Sequence, residues 1–535
     1  MAERRRKFWG WGYEDQGPTP EQQKRMAQRM GARFGLSEFT IMPPPRVEEL
    51  KLREPRVKPP DALQALCASD PYERAFHSYG RSFRDIVRAF RRYYPNPVDV
   101  VCFPRSEQDV VRALEWCDGA RLAAIPFGGG SSVVGGLEAP TSGDYRGAVS
   151  IDLRYLDKVI EVDSMSRAAR VQAGVFGPSL EDQLRPHGHT IRHFPQSFEF
   201  SALGGWIATR SGGHFATNYT HIDDFVESLR IVTPTGIVES RRLPGSGAGP
   251  SPDRMFIGSE GTLGIITEAW MRLQDRPKFR AGASVPFPDF IAGAKAVRAI
   301  AQAGLFPANC RLLDPGEAAN AGVTTKDEAV LVLAFESADH PLESWISRAL
   351  ECCTDHGGAV AKDAVKTRTD AEATHEGAAG AWRQAFLSAP YLRDTVIAMG
   401  MVSDTFETAV TWDRFADFHA RVMETGRAAI ARVCGQGTLT CRFTHVYPDG
   451  PAPYYTVLAP GRRGAEMEQW DAIKQEVSDL IIKLGGTITH HHAVGRDHRP
   501  WYDRQRPDGF ARALRAAKRE LDPHAILNPG VLFDP

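Results

Sequence analysis

PFGGGSSVVGG, residues 126–136, is the stretch on which the fold turns. Five of its eleven residues are glycine, and it follows Leu122, Ala123, Ala124 and Ile125, an apolar run that reads as a buried strand. A strand that runs into Gly-Gly-Gly-Ser-Ser exposes consecutive backbone N–H groups with no side chains in the way, a concavity suited to a pyrophosphate. The stretch is not a Walker loop, because no Gly-Lys-Ser/Thr follows, and it is not G-x-G-x-x-G opening a helix. Taken alone it also reads as a glycine-rich surface turn.

Its surroundings tip the balance. Upstream, VDVVCFP predicts a strand, and SEQDVVRALEWCDGA a helix with Ser106 as N-cap and Asp109 three residues on. Downstream, GAVSIDL, KVIEVD and ARVQAGV predict short strands, and SLEDQLRPHG a helix capped by Ser179. Alternating elements continue to about Leu273. Two more glycine-rich turns lie in this span, in PQSFEFSALGGWIATRSGG and in GSEGTLGIITEA. Three such turns near predicted strand ends point to one extended ligand of dinucleotide size touched at three places.

Beyond this region the pattern changes. Residues 1–60 are charged and proline-rich, carry Trp9 and Trp11, and are expected to wrap another domain rather than build a core, with a helix from Pro20 to Phe34. From about Arg276, alanine-rich helices beginning near Phe290, Leu342 and Thr411 alternate with strands such as AVLVLAF, as in a second α+β domain. A further helix begins near Ala465, and the chain ends on the compact LDPHAILNPGVLF. The expected organisation is 1–92, a wrapping segment; 93–275, a cofactor domain; 276–460, a cap; and 461–535, a segment returning to the cofactor domain.

Composition removes several classes. A net charge of −1 over 535 residues gives no basic field for nucleic acid. No apolar run reaches the roughly 18 residues of a membrane helix, and the basic N-terminus lacks the apolar stretch of a secretory signal. The eight cysteines form no C-x-x-C pair, so reduced thiols and a cytoplasmic location are expected.

The three glycine-rich stretches together resemble the FAD-binding domain of vanillyl-alcohol-oxidase-type flavoproteins, and LDPHAILNPGVLF is similar to that superfamily's C-terminal signature. Within it, the chain from FWGWGYED to its end resembles the alkyldihydroxyacetonephosphate synthase family. The resemblance implies an α+β fold: a two-subdomain FAD-binding domain of the PCMH (vanillyl-alcohol-oxidase) type with an α+β cap. It implies FAD with its pyrophosphate on Pro126, Phe127, Gly128, Gly129, Gly130, Ser131 and Ser132. Further contacts are implied from Gln196, Ser197, Phe198, Glu199, Phe200, Ser201 and Ala202, and from Thr209, Arg210, Ser211 and Gly212. A last set is Glu260, Gly261, Thr262, Leu263, Gly264, Ile265 and Ile266. With no His or Cys at an attachment position, non-covalent FAD is expected.

That family replaces the fatty acid of acyl-dihydroxyacetone phosphate by a long-chain alcohol, through a flavin N5 adduct and without net redox change. The resemblance makes Arg393 in YLRD the phosphate-binding residue, since a guanidinium grips phosphate with two parallel bonds. It makes Arg311 in CRLLD a second functional arginine and Tyr454 in DGPAPYYTV the acid–base residue. His490, His491 and His492 form the family's histidine cluster and are the expected source of charge that helps Tyr454 ionise. In a strand, adjacent histidines would face opposite ways, so at most two would share a site. The plain alternative is a surface ion pair for each arginine, packing in a strand for Tyr454, and a chance tract or a metal site for the three histidines.

Departures are visible. Gln196 stands where the family has Asp, Ala493 where it has Gly after the triplet, and SGGHFATNYTHIDDF lacks the family's lysines, which opens the question of substrate. The rival reading is a flavin-dependent 2-hydroxyacid dehydrogenase or alcohol oxidase. Its metal pattern is broken here: the second ligand His is missing after His445, and a His stands at the Glu position, so no metal is expected. A degenerate flavoprotein serving as a binding module is a third reading. The expected partners are a lipid-like small molecule, the inner face of a membrane as a peripheral contact, and a second copy of the chain; nucleic acid is not one.

Overall fold

The computed structural model describes residues 4–36, 39–215, 221–369 and 377–534. Its first sheet has four strands in the order Cys67–Ala68, Val100–Cys102, Gly147–Asp152, Leu122–Phe127, the last three parallel. Helices and loops cover both faces, and all six residues of Gly147–Asp152 are buried, as expected of a parallel strand with no wet side. The helix Glu107–Ala120 packs beside it, and the Ser106 side chain accepts the Asp109 amide as predicted.

An antiparallel second sheet runs Val159–Asp163, Ala168–Gln172, Ile265–Arg272, Val226–Thr233, Gly236–Glu239. Both sheets share one apolar core around Ile151, Val171, Trp206 and Leu229. The helix predicted to start at Ser179 begins earlier: it spans Gly177–Leu184, with Phe176 as N-cap. Ser179 sits inside it and accepts from Gln183, because Pro178 supplies a ready-made first turn.

The chain returns to the first sheet at its end. The Ala124 amide donates to the Ile526 carbonyl at 2.8 Å, and the Asn528 amide donates to the Ala124 carbonyl at 2.8 Å. The C-terminal segment thus covers the edge that leads into the glycine turn.

The third sheet has seven strands in the order Lys366–Arg368, Phe279–Phe287, Ala329–Ser337, Asn309–Leu313, Thr438–Val446, Pro451–Pro460, Met401–Glu407. One face packs on the helices Phe290–Gln302, Glu343–Thr354, Trp412–Cys434 and Glu466–Lys483. Alternation sorts the side chains. Cys441, Phe443, Tyr455 and Val457 enter that core, while Thr440, Arg442, Thr444, Tyr454 and Thr456 face the other way, toward the cofactor domain.

The N-terminus departs from expectation. Phe8 and Trp9 do not merely wrap; they form a core with Phe76, Tyr79, Phe83, Tyr94 and Trp470. Burying aromatics of this size contributes about 2–3 kcal/mol each, enough to draw a charged segment inside. Among the described residues no helix is long and apolar enough to cross a membrane. The fold is the expected α+β class: two sheets carrying the glycine turns, and a third capping them.

Candidate active site

A cavity of about 630 Å³ lies between the cap sheet and the glycine turns. At one end its wall is backbone. A Cβ on Gly129 would stand 1.8 Å from the Phe200 carbonyl oxygen, so only glycine lets the 198–202 loop lie against the turn. Among the described residues, no protein group accepts the amides of Gly129, Gly130, Ser131 and Ser132. The Ser132 hydroxyl accepts the Gly136 amide at 3.0 Å and shapes the turn.

Of the expected cofactor residues, Pro126 to Ser132, Gln196, Ser197, Ala202, Thr209, Ser211, Gly212, Glu260, Gly261, Gly264, Ile265 and Ile266 line this cavity. Phe198, Glu199, Phe200, Ser201, Arg210, Thr262 and Leu263 do not; their side chains brace the wall from behind. Phe198 stacks on Trp206, whose Nε1 donates to the Ser201 hydroxyl at 2.7 Å. The Glu199 carboxylate accepts the Tyr391 hydroxyl, and Arg210 pairs with Asp223 at 2.9 Å. The Thr262 hydroxyl donates to the Ser259 carbonyl at 2.6 Å, and Phe200 and Leu263 are core.

Glu260 ties the wall to the far end of the chain. Its carboxylate accepts the amides of Val494 and Gly495, both at 2.8 Å. Burial pushes its pKa up to about 7 against those two bonds. Its backbone carbonyl accepts from the Asn528 side chain at 2.7 Å.

At the other end the cavity is cationic. Arg311 is 2 % exposed, and its Nε and Nη1 have no hydrogen-bond partner. Burial, then the nearby Arg442, lower its pKa to about 9, which still leaves it charged at neutral pH. A buried guanidinium with free donors is costly unless an anion meets it. Arg442 pairs with the Glu317 carboxylate at 2.9 Å, keeps its Nε without a partner, and lies 3.9 Å over the Tyr454 ring. Arg393, on the helix Gly377–Ala398, reaches Asp404 at 3.1 Å and faces the same space.

Tyr454 lines the cavity, and Tyr455 is core at 0 % exposure. Burial raises the Tyr454 pKa; Arg442 first, then the Thr405 hydrogen bond and Arg393, pull it back. The histidine triplet is therefore not the source of that pull. The two arginines are, because the neighbouring His492 is itself driven down to about 3 by burial and carries no charge.

The triplet is not a strand either. It bends round the buried Glu407, whose carboxylate accepts the amides of His490 at 2.7 Å, His491 at 3.1 Å and His492 at 3.0 Å. Burial alone would raise the Glu407 pKa, but the neighbouring triplet, His491 first, holds it well below the carboxylate range. His491 and His492 face the cavity; His490 does not line it and turns toward Tyr447. Ring nitrogens of His445, His490 and His491 converge within 4.8 Å of one another, a closeness the broken metal pattern did not anticipate. The loop lacking the family's lysines falls partly at 216–220, outside the described residues.

Sequence reasoning missed Arg442, Glu317 and Glu407. The alternation Thr440, Arg442, Thr444 within TLTCRFTHV, a polar face on an otherwise apolar strand, was a signal for the first. Nothing local marks Glu407. From Arg393 the lining continues through Met30, Leu392, Val396 and Leu458, a largely apolar arm that also carries Arg33, Asn320 and Thr438.

The donor set fits FAD: unpartnered amides for a pyrophosphate at one end, and a buried cationic chamber where a flavin ring would meet substrate. Comparison with known proteins agrees. Residues 98–240 match the FAD binding domain family, and 276–532 match FAD linked oxidases, C-terminal domain. Fold and site thus define an FAD-binding flavoprotein of the FAD-linked oxidase architecture. The chain is 33 % identical over 491 residues to alkyldihydroxyacetonephosphate synthase of Dictyostelium discoideum, covering 89 % of this chain and 79 % of that one. It is 32 % identical over 481 residues to that of Caenorhabditis elegans, covering 86 % and 80 %. A solved alkyldihydroxyacetonephosphate synthase superposes over 98 % of both chains with a TM-score of 0.79 at 26 % identity. The chain belongs to the alkyldihydroxyacetonephosphate synthase family.

Proposed function

We propose that the protein is an FAD-dependent alkyldihydroxyacetonephosphate synthase, exchanging the acyl group of acyl-dihydroxyacetone phosphate for a long-chain alcohol without net redox change. The observation that carries this reading is Arg311, buried with two free donor positions in a chamber that also holds Arg393 and opens into an apolar arm. That combination suits a molecule with an anionic head and a long aliphatic tail.

When bound, FAD supplies an electrophilic ring toward the reacting carbon. The chain's own residues do the rest. Arg393 and Arg311 hold the phosphate; Tyr454, under the Arg442 guanidinium, handles a proton at the substrate; His491 and His492 are the cavity-side imidazoles. Residues 93–275 form the cofactor domain, 276–460 the cap, 461–535 the returning segment, and 1–92 the N-terminal part. The helix Pro20–Arg33, with exposed Lys24, Arg25 and Arg29 and with Met30 on the apolar arm, suits a peripheral contact with anionic lipid at the cytoplasmic face.

The test is incubation of the FAD-loaded protein with acyl-dihydroxyacetone phosphate and hexadecanol. Ether product and released fatty acid in equal amounts are expected. Oxidation of a 2-hydroxyacid with an electron acceptor, and no ether product, would replace this reading with the redox one.

A further inference from the structure

Behind His491 a file of hydrogen-bonded groups leads away from the cavity. His491 Nδ1 lies 3.1 Å from His490 Nδ1, and His490 Nε2 lies 2.6 Å from the Tyr447 hydroxyl. That hydroxyl lies 2.9 Å from His221 Nε2, and His221 Nδ1 lies 3.0 Å from the Arg210 carbonyl. His491 lines the cavity; His221, at the other end, is half-buried.

The last contact sets every hydrogen in the file. A carbonyl only accepts, so His221 Nδ1 carries the hydrogen. Burial lowers the pKa of His221; in its neutral form Nε2 is bare and accepts from the Tyr447 hydroxyl. The Tyr447 oxygen then accepts from His490 Nε2–H. His490 Nδ1 is bare in turn and accepts from His491 Nδ1–H. The Glu407 carboxylate, 3.2 Å from His491 Nδ1, also favours a hydrogen on that nitrogen. What remains is His491 Nε2, a bare base.

We propose that His490, Tyr447 and His221 are a proton exit that drains His491, making Tyr447 and His221 positioning residues for turnover although neither lines the cavity. The proposal rests on the exchange reaction above. There the bond from the substrate carbon to the acyl oxygen breaks, a bond to the alcohol oxygen forms, and ester plus alcohol become ether, carboxylate and one proton. No electrons are gained or lost. The proton enters at His491 Nε2, and the Nδ1 hydrogen passes to His490 Nδ1. The His490 Nε2 hydrogen passes to Tyr447, and the Tyr447 hydrogen to His221 Nε2, from which one proton leaves to water. Tautomer exchange resets the file before the next turnover. The charged and titratable groups facing it are Arg210 and Asp223 at His221, His445 beside His490, and Glu407, His492 and Tyr454 at His491.

Tyr447→Phe and His221→Gln, singly and together, test this in the FAD-loaded protein. Each is expected to lower kcat by about 10–100-fold, up to the lower end of the range of about 10²–10⁴-fold for groups that exchange a proton with substrate directly, with KM and flavin content unchanged and the solvent deuterium isotope effect on kcat raised. The double variant should be no slower than the slower single one, because both break one path; additive losses would point to packing and overturn the exit. A second readout needs no turnover: nitrogen NMR of histidine-labelled protein should show the Nδ1–H tautomer at His221 and the Nε2–H tautomer at His490. Other tautomers, a stoichiometric divalent metal on these rings, or a Tyr447→Phe enzyme with normal kcat and isotope effect would each overturn the file. Correct tautomers in a wild-type protein that forms no ether would instead overturn the exchange reading alone.

Discussion

Tyr454 and Tyr455 are neighbours in sequence and opposites in space. One sits under Arg442 in the cavity, the other among apolar residues with its hydroxyl 3.3 Å from His419. Tyr454→Phe keeps the ring and removes the transferable proton. It is expected to cut turnover by about 10²-fold or more while flavin stays bound, whereas Tyr455→Phe stays active. Reversed outcomes for the two variants would put the other tyrosine in the cavity. Arg393 offers a planar fork, steadied by Asp404. Replacing it with Lys leaves a point charge, so Arg393→Lys should weaken use of the phosphate substrate by about 10-fold or more at unchanged flavin content. An unaffected kcat/KM would remove Arg393 from substrate binding.

At the scale of an element, the 490–492 bend depends on a residue some eighty positions earlier. Glu407 has two anionic oxygens for the three amides it receives. Glu407→Gln turns one acceptor into a donor facing other donors, and hydrogen bonds to charged groups are worth about 1.5–3 kcal/mol each. The variant should lose about 2–3 kcal/mol of stability and at least about 10-fold in kcat, since His491 and His492 would lose their fixed aim. Denaturant unfolding alongside steady-state kinetics checks both; wild-type values in each would show that Glu407 does not aim the triplet. A second prediction concerns the glycine turn. Gly129→Ala places a methyl group against the Phe200 carbonyl, and purified protein should carry markedly less FAD, read from its absorbance near 450 nm.

For the whole molecule, pH sets stability through buried histidines. His193, His492 and His498 are pushed down to about 3 and His419 to about 4, chiefly by burial. His214, His445 and His490 lie well below the usual value, and His221 is lowered. For these groups the unfolded chain binds more protons between about pH 3 and 6.5, so their contribution is present above 6.5 and lost as pH falls. Five buried carboxyls act the other way: Glu260 and Asp497 are raised to about 7, Asp314 and Asp394 to about 6, and burial raises Asp85 as well. Their protonated native forms cost stability as pH rises from about 4 to 7. Eight imidazoles outweigh five buried carboxyls among the described residues, so Tm should drop on acidification from pH 7 to 5, by on the order of 5 °C per pH unit. A flat or rising Tm would mean the carboxyls dominate. The same acid unfolding should release the flavin into the supernatant, since no cysteine or histidine is expected to hold it covalently.

The sequence by itself determined the cofactor end of this protein. Glycine at 128–130 and at 261, strand patterns on either side, and a proline- and glycine-punctuated tail are local properties, and local steric rules read them directly. It also placed Arg311, Arg393 and Tyr454, through motifs long enough to be specific. Tertiary structure alone decided what those residues meet. Arg442 reaches Tyr454 through strand register, and Glu407 reaches the histidines by bringing another strand's end beneath their loop. Trp9 joins the core because distant aromatics leave room for it. Charges, hydrogen bonds and burial act through space, and the spacing of residues along a chain does not carry those distances.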